Sequence, residues 1–278
     1  MKAFIALIGA SMTLAGCGSS PATSIVTPAA PDLTGNWQIQ SDVTSNIVPP
    51  PGVVLFGALE STVSQVTGTF RFANLGQPTQ CGLDVVVSVS GSVDSKNNLT
   101  LTSSAMPNGT TVKVLLAITG SQQPYSGTGS IEVDGPTCTF PSTGAIGEQV
   151  QNASGTYTGT LTPGTLVSPG SGASATVSLA LIQSASPQAD GRFPATGSFN
   201  YTVGTCTGSA SLSGTSSGVG IILSSTSAPP ANLQIVSFVG TTNATATTIA
   251  ASVLELAPAP CSTDPSSIAN YTGTLTRQ

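Results

Sequence analysis

Apolar side chains in this chain recur at every second residue, in short runs, and almost nowhere at helical spacing. Leu83, Val85, Val87 and Val89 alternate with Asp84, Val86, Ser88 and Ser90, and Val112, Val114, Leu116 and Ile118 alternate with Lys113, Leu115, Ala117 and Thr119. The pattern returns at Val177, Leu179 and Leu181 and at Val219, Ile221 and Leu223. Successive side chains of a strand point to opposite faces, so a period of two makes one apolar and one wet face. Gly, Pro, Asn and Asp interrupt the runs, as turns between antiparallel strands require. The expected fold class is therefore all-β.

The chain also repeats itself. Asp32-Leu33-Thr34-Gly35-Asn36-Trp37-Gln38-Ile39 can be laid over Ala153-Ser154-Gly155-Thr156-Tyr157-Thr158-Gly159-Thr160, with Trp37 above Tyr157. The cysteines then fall into register: Cys81 lies 44 residues after Trp37 and Cys206 lies 49 after Tyr157, while Cys81 to Cys138 spans 57 and Cys206 to Cys261 spans 55. Two homologous antiparallel units, each a β-barrel or β-sandwich of seven or eight strands, are predicted at residues 32–150 and 151–278. The spacing predicts the disulfides Cys81–Cys138 and Cys206–Cys261, each worth about 4 kcal/mol in the chain-entropy view. In an up-and-down order Cys81 enters the fourth strand and Cys138 follows the seventh, at one end of the unit. Strands four and seven of a round barrel stand farther apart than the roughly 7 Å that a disulfide spans. That distance favours a flattened barrel or a sandwich.

Charge excludes whole classes of function. Only 6% of the 278 residues are Asp, Glu, Lys or Arg, and there is no histidine. Six Lys and Arg cannot build the phosphate-neutralising patch that nucleic-acid affinity needs, so no nucleic-acid partner is expected. Without imidazole there is no Ser-His-Asp triad, and with no C-x-x-C spacing the cysteines do not read as a metal site. No cofactor, metal or catalytic residue is predicted. Hydration must come from the 39 Ser and 39 Thr, which in runs such as Thr156, Thr158, Thr160 and Thr162 occupy one face of a strand. A transmembrane barrel also alternates, but it needs aromatic girdles. Here aromatics are 5%, and the tail Tyr271 to Gln278 lacks a terminal aromatic residue.

The first seventeen residues give the location. Lys2 supplies a short positive region, Ala3 to Thr13 an apolar or small-residue stretch too short to span a bilayer, and Leu14-Ala15-Gly16-Cys17 an L-A-G-C box. This resembles the signal peptide of bacterial lipoproteins. The resemblance implies removal of residues 1–16, lipid (palmitate included) on Cys17, and a bilayer as partner. It also accounts for the fifth cysteine. Gly18, where Asp would favour the inner membrane, implies the outer membrane in a Gram-negative cell envelope. Residues 17–31 carry the lipidated cysteine and a Pro-rich tether of at most roughly 45 Å. With Lys2 gone, five cations face eleven carboxylates, a net charge of −6. The mature start, L-x-G-x-W, is similar to Ser/Thr-rich envelope lipoproteins, a likeness that implies location and not activity.

Few motifs carry chemistry. Gly214-Thr215-Ser216-Ser217-Gly218 matches the G-x-S-x-G of hydrolases, but it reads as a turn and no histidine can deprotonate Ser216. Glu132 and Asp134 share one side of a strand, so a carboxylate-based hydrolase would need them beside a third carboxylate such as Asp84 in a cleft. Asp134-Gly135-Pro136 and Asp190-Gly191 read as turns. Gly35-Asn36-Trp37 resembles the G-x-W on the first strand of lipocalins, with Gly155-Thr156-Tyr157 as the second copy's version, and Arg277 is similar to the basic residue near the closed end of that barrel. This resemblance implies carriage of a small apolar ligand in a cavity lined by residues such as Val85, Val87, Leu116 and Ile118. Trp37 and Tyr157 would then border a ligand pocket; otherwise they plug the cores. The expected function is a lipid-anchored envelope protein, a non-catalytic binding or structural module for an unknown envelope or extracellular ligand. Apolar-ligand carriage comes second and a carboxylate hydrolase third.

Overall fold

The computed structural model describes residues 30–42, 52–63, 65–75, 84–136, 138–163, 174–226, 236–256 and 269–278. These contain sixteen strands and no helix. The first eight are β1 (Gly35–Ser41), β2 (Gly52–Ser61), β3 (Gln65–Leu75), β4 (Val85–Val93), β5 (Asn98–Ser103), β6 (Thr111–Thr119), β7 (Ser126–Asp134) and β8 (Phe140–Val150). The second eight are β9 (Gly155–Pro163), β10 (Ala175–Gln183), β11 (Phe193–Val203), β12 (Cys206–Ser217), β13 (Gly220–Ser225), β14 (Val236–Thr242), β15 (Thr248–Leu256) and β16 (Ala269–Arg277). Each set pairs with its neighbour in chain order. β1 returns to β8 and β9 to β16, so the molecule is two closed, antiparallel, up-and-down barrels. Closure leaves neither sheet an unpaired edge.

The alternation read from the sequence is the inside–outside alternation of these barrels. Along β6 the residues Val112, Val114, Leu116 and Ile118 point inward and are buried, while Lys113, Leu115 and Ala117 are exposed. Along β10 the buried set is Ala175, Val177, Leu179 and Leu181. The first core gathers around Trp37, Phe70 and Phe72, the second around Tyr157, Phe199 and Phe238. Fully burying a side chain of this size stabilises by about 1.5–3 kcal/mol, which is what drives the faces to sort. Apolar groups line the inside and hydroxyls the outside, the reverse of a barrel that faces lipid. Val219 departs from the expected alternation. It lies in the two-residue turn between β12 and β13.

Closure of both sheets into barrels sets aside the sandwich alternative. Cys138 lies in the connection between β7 and β8, and Cys81 lies outside the described residues. Cys138 is buried at 2% exposure and belongs to the first core. Topology repeats in the second unit: Cys206 opens β12, the counterpart of β4, and Cys261 falls between β15 and β16, the counterparts of β7 and β8.

Candidate functional site

One end of each barrel is built around the aromatic residue of its first strand. Trp37 donates its indole N–H to the carbonyl of Leu33, 2.7 Å away, and is fully buried. In the same place of the second barrel, the Tyr157 hydroxyl reaches the carbonyls of Ala153 at 3.0 Å and Ala246 at 2.8 Å. Burial pushes the Tyr157 hydroxyl up from its ordinary value, against the pull of the Arg277 charge. Across the closing pair of strands, Gln149 stands opposite Trp37 and Arg277 opposite Tyr157. Each caps the carbonyl three residues before the aromatic: Gln149 Nε2 donates to Thr34 at 2.8 Å, and Arg277 to Ser154. Trp37 and Tyr157 are thus core plugs, and both are held by hydrogen bonds.

The residues offered for an apolar pocket are core as well. Val87, Leu116 and Ile118 are buried in one cluster with Trp37, and Val85 packs against it.

The plugged end of the second barrel docks on the side of the first, where a second set of functional contacts lies. Asn36 grips the turn after β12 with both halves of its amide. Its Nδ2 donates to the Gly218 carbonyl at 2.7 Å and its Oδ1 accepts from the Gly218 N–H at 2.8 Å. Gln38 accepts from the Val219 N–H at 3.2 Å. Both barrels come too close here for larger residues. Gly218 has φ +53°, and a Cβ on it would stand 2.6 Å from Gln38 Oε1; Gly191 has φ +80°, and its Cβ would stand 2.3 Å from the Thr69 carbonyl. Gly218 closes the G-x-S-x-G motif, so that motif serves the junction. Ser216 is buried at 1% exposure, and its Oγ has no hydrogen-bond partner among the described residues.

Four of the seventeen charged side chains meet at the same junction. Arg71 on β3 forms a two-pronged pair with Asp84 and reaches Asp190 of the second barrel at 3.4 Å, while Arg192 holds Asp190 at 2.6 Å. Burial raises the Asp190 carboxyl, but hydrogen bonds from Arg192 and the charges of Arg192 and Arg71 outweigh it and hold it below its ordinary value. The hydrogen bonds it donates to Asp84 push the Arg71 guanidinium up. Asp84 is committed to Arg71 here. Glu132 and Asp134 are exposed, with Glu132 opposite Lys113 and Asp134 opposite Thr111 across the β6–β7 pair. No group of three potential metal ligands occurs among the described residues.

A third feature is an open groove of about 650 Å³ across the outside of β9 to β12. It is lined by Thr158, Ser178, Asn200 and Ser209 in one cross-strand row and Thr176, Thr202 and Thr207 in another, with Val177, Tyr201 and Gly208 in the row between them. None of its lining residues is charged.

No family model, curated protein or solved structure matches the chain. The residues must speak for themselves. Cys17, Cys81 and Cys261 lie outside the described residues, as does the side chain of Cys206. Cys138 is not a free thiol. Sequence reasoning missed the junction and the groove, because Asn36, Gln38, Asn200 and the row of Thr and Ser look like any solvated strand face until register brings them together.

Proposed function

We propose that the chain is a lipid-anchored, non-catalytic module of the bacterial cell envelope, acting through the outer faces of its two barrels and held to the membrane by Cys17. The observation that carries the reading is the division of labour in the barrels. Apolar side chains fill the interiors, and the outward faces carry hydroxyl and amide groups with very few ionisable ones. Solutes and partners therefore meet the outside. The L-A-G-C box supports the anchor, and Gly18 supports the outer membrane. The bridges Cys81–Cys138 and Cys206–Cys261, suited to an oxidising compartment, belong to the same proposal. Cys138 and the start of β12 at Cys206 stand at the barrel ends away from Trp37 and Tyr157. There the bridges would staple the connections that the hydrogen-bonded plugs do not reach.

The test is fractionation. In a bacterial host the parent chain is expected in the membrane fraction and released by detergent, while Cys17→Ser is expected in the soluble fraction. Retention of Cys17→Ser in the membrane would overturn the anchor.

A further inference from the structure

The junction inside the molecule has an unoccupied counterpart. Counting outward from the two plugs, Trp37 pairs with Gly57, which pairs with Phe70 and then Val87. Tyr157 pairs with Leu179, which pairs with Phe199 and then Ala210. One residue on, the outward row of the first barrel is Gln38, Phe56, Arg71 and Val86, and that of the second is Thr158, Ser178, Asn200 and Ser209. Gln38 and Arg71 bond to the second barrel's plugged end, and Phe56 stands beside the Gly218 turn. All four residues of the second row line the open groove. The surface that receives a barrel end in the first unit is the surface left hollow in the second.

The matching piece is also uncovered. The second barrel docks through its β10–β11 and β12–β13 connections, whose counterparts in the first barrel are the β2–β3 and β4–β5 turns. Val63 in the β2–β3 turn is 87% exposed, more than any other large apolar residue described. In the β4–β5 turn Asp94 spends its carboxylate on its own loop, accepting from the Lys96 and Asn98 backbones and the Asn98 amide. That end carries one exposed apolar tip, Val63, and one exposed cation, Lys96, and the groove is uncharged, with Val177 and Tyr201 between two rows of hydroxyl and amide groups. We propose that the groove across β9 to β12 receives the plugged end of the first barrel of a second copy of this chain. The contact uses between molecules the topologically equivalent faces of the docking seen within one, with Val63 at the tip in place of the close glycine approaches and the Asn36 grip. Tip and groove are different surfaces, so the contact is head-to-tail and propagates into rings or filaments. The inference deepens the reading of the outer faces as the working surface and does not depend on the anchor, which fractionation tests separately.

Sedimentation velocity on the full chain carrying Cys17→Ser tests it, with Ser178→Lys or Asn200→Lys placing a charge in the groove and Val63→Asp placing one on the tip. All three positions face outward, and circular dichroism melts check that the variants fold. The parent's weight-average mass is expected to rise at least about twofold with concentration, and each single variant is expected to stay monomeric. An equimolar mixture of Ser178→Lys and Val63→Asp is expected to stop at a dimer, because one supplies only a tip and the other only a groove. A parent that stays monomeric at millimolar concentration would overturn the proposal. So would assembly that survives both variants, or a mixture that stays monomeric while the parent assembles. Retention of a monomeric parent on a polysaccharide, lost in Ser178→Lys, would assign the groove to a glycan and overturn it too.

Discussion

The two barrels are alike where they face inward and different where they face outward. Their strand order, their closing pair, the hydrogen-bonded aromatic plug and the topological placement of their cysteines correspond element by element. On the outside, Gln38, Phe56 and Arg71 of the first barrel face Thr158, Ser178 and Asn200 at the same register positions of the second. An eight-stranded barrel has an interior just wide enough for its side chains, so closure constrains every inward position. No such constraint acts on the outward ones. They are free to become a docking face in one copy and an open groove in the other.

The plugs give the largest expected difference. Trp37→Ala should destabilise the first barrel by about 3–5 kcal/mol, because the cavity left by an indole cannot collapse in a closed barrel. Tyr157→Phe should cost the second barrel only about 1–2 kcal/mol, through the lost hydrogen bonds to Ala153 and Ala246. Chemical unfolding followed by circular dichroism in both variants would measure the gap, with Trp37 fluorescence in the tyrosine variant marking the transition of the unaltered first barrel. Equal losses would break the view that the packing of a plug's ring outweighs its polar contacts.

The amide at Asn36 comes next. Asn36→Ala removes both bonds to Gly218 and leaves a buried N–H and carbonyl unpaired, a loss of about 1–3 kcal/mol from the junction. Its counterpart Thr156 is exposed, so Thr156→Ala should fall within about 0.5 kcal/mol of the parent. Thermal melts of the two variants would compare them directly.

Acid should produce the smallest effect. The Asp190 carboxyl is held below its ordinary value of 3.8, so its contribution is present above that pH and is lost as pH falls through the lowered value. For a partly exposed pair the loss is about 1 kcal/mol or less. Scattering curves taken from pH 6 downward should show the barrels loosening from one another only below about pH 4. Asp190→Asn should loosen the junction at pH 6 and weaken the acid response. An unchanged acid response in that variant would assign it to other carboxylates.

How legible the fold was depended on the direction a side chain faces. Val112, Val114, Leu116 and Ile118 declared a strand because burial imposes a period of two on residue type, and Trp37 over Tyr157 declared the repeat because a plug must be aromatic. The junction was illegible. Gly218 looked like part of a hydrolase motif, Asp190-Gly191 like an ordinary turn, and Asn36 like the variable position of G-x-W. Each acquires its role from a partner more than a hundred residues away, and no local pattern records such a partner. The filled core was equally hidden, since Val87 and Leu116 have the same period whether they line a cavity or close it.

What the sequence determined by itself was the all-β class, the two copies and the sorting of apolar from hydroxyl faces, because these follow from the geometry of one strand and the cost of exposing apolar surface to water. Tertiary structure decided that the units close into barrels and that their inward side chains are buried in two separate cores. It also placed one barrel's end against the other's side, leaving the equivalent side open. Those outcomes depend on register summed around eight strands and on contacts between distant turns, quantities that exist only once the chain has closed on itself.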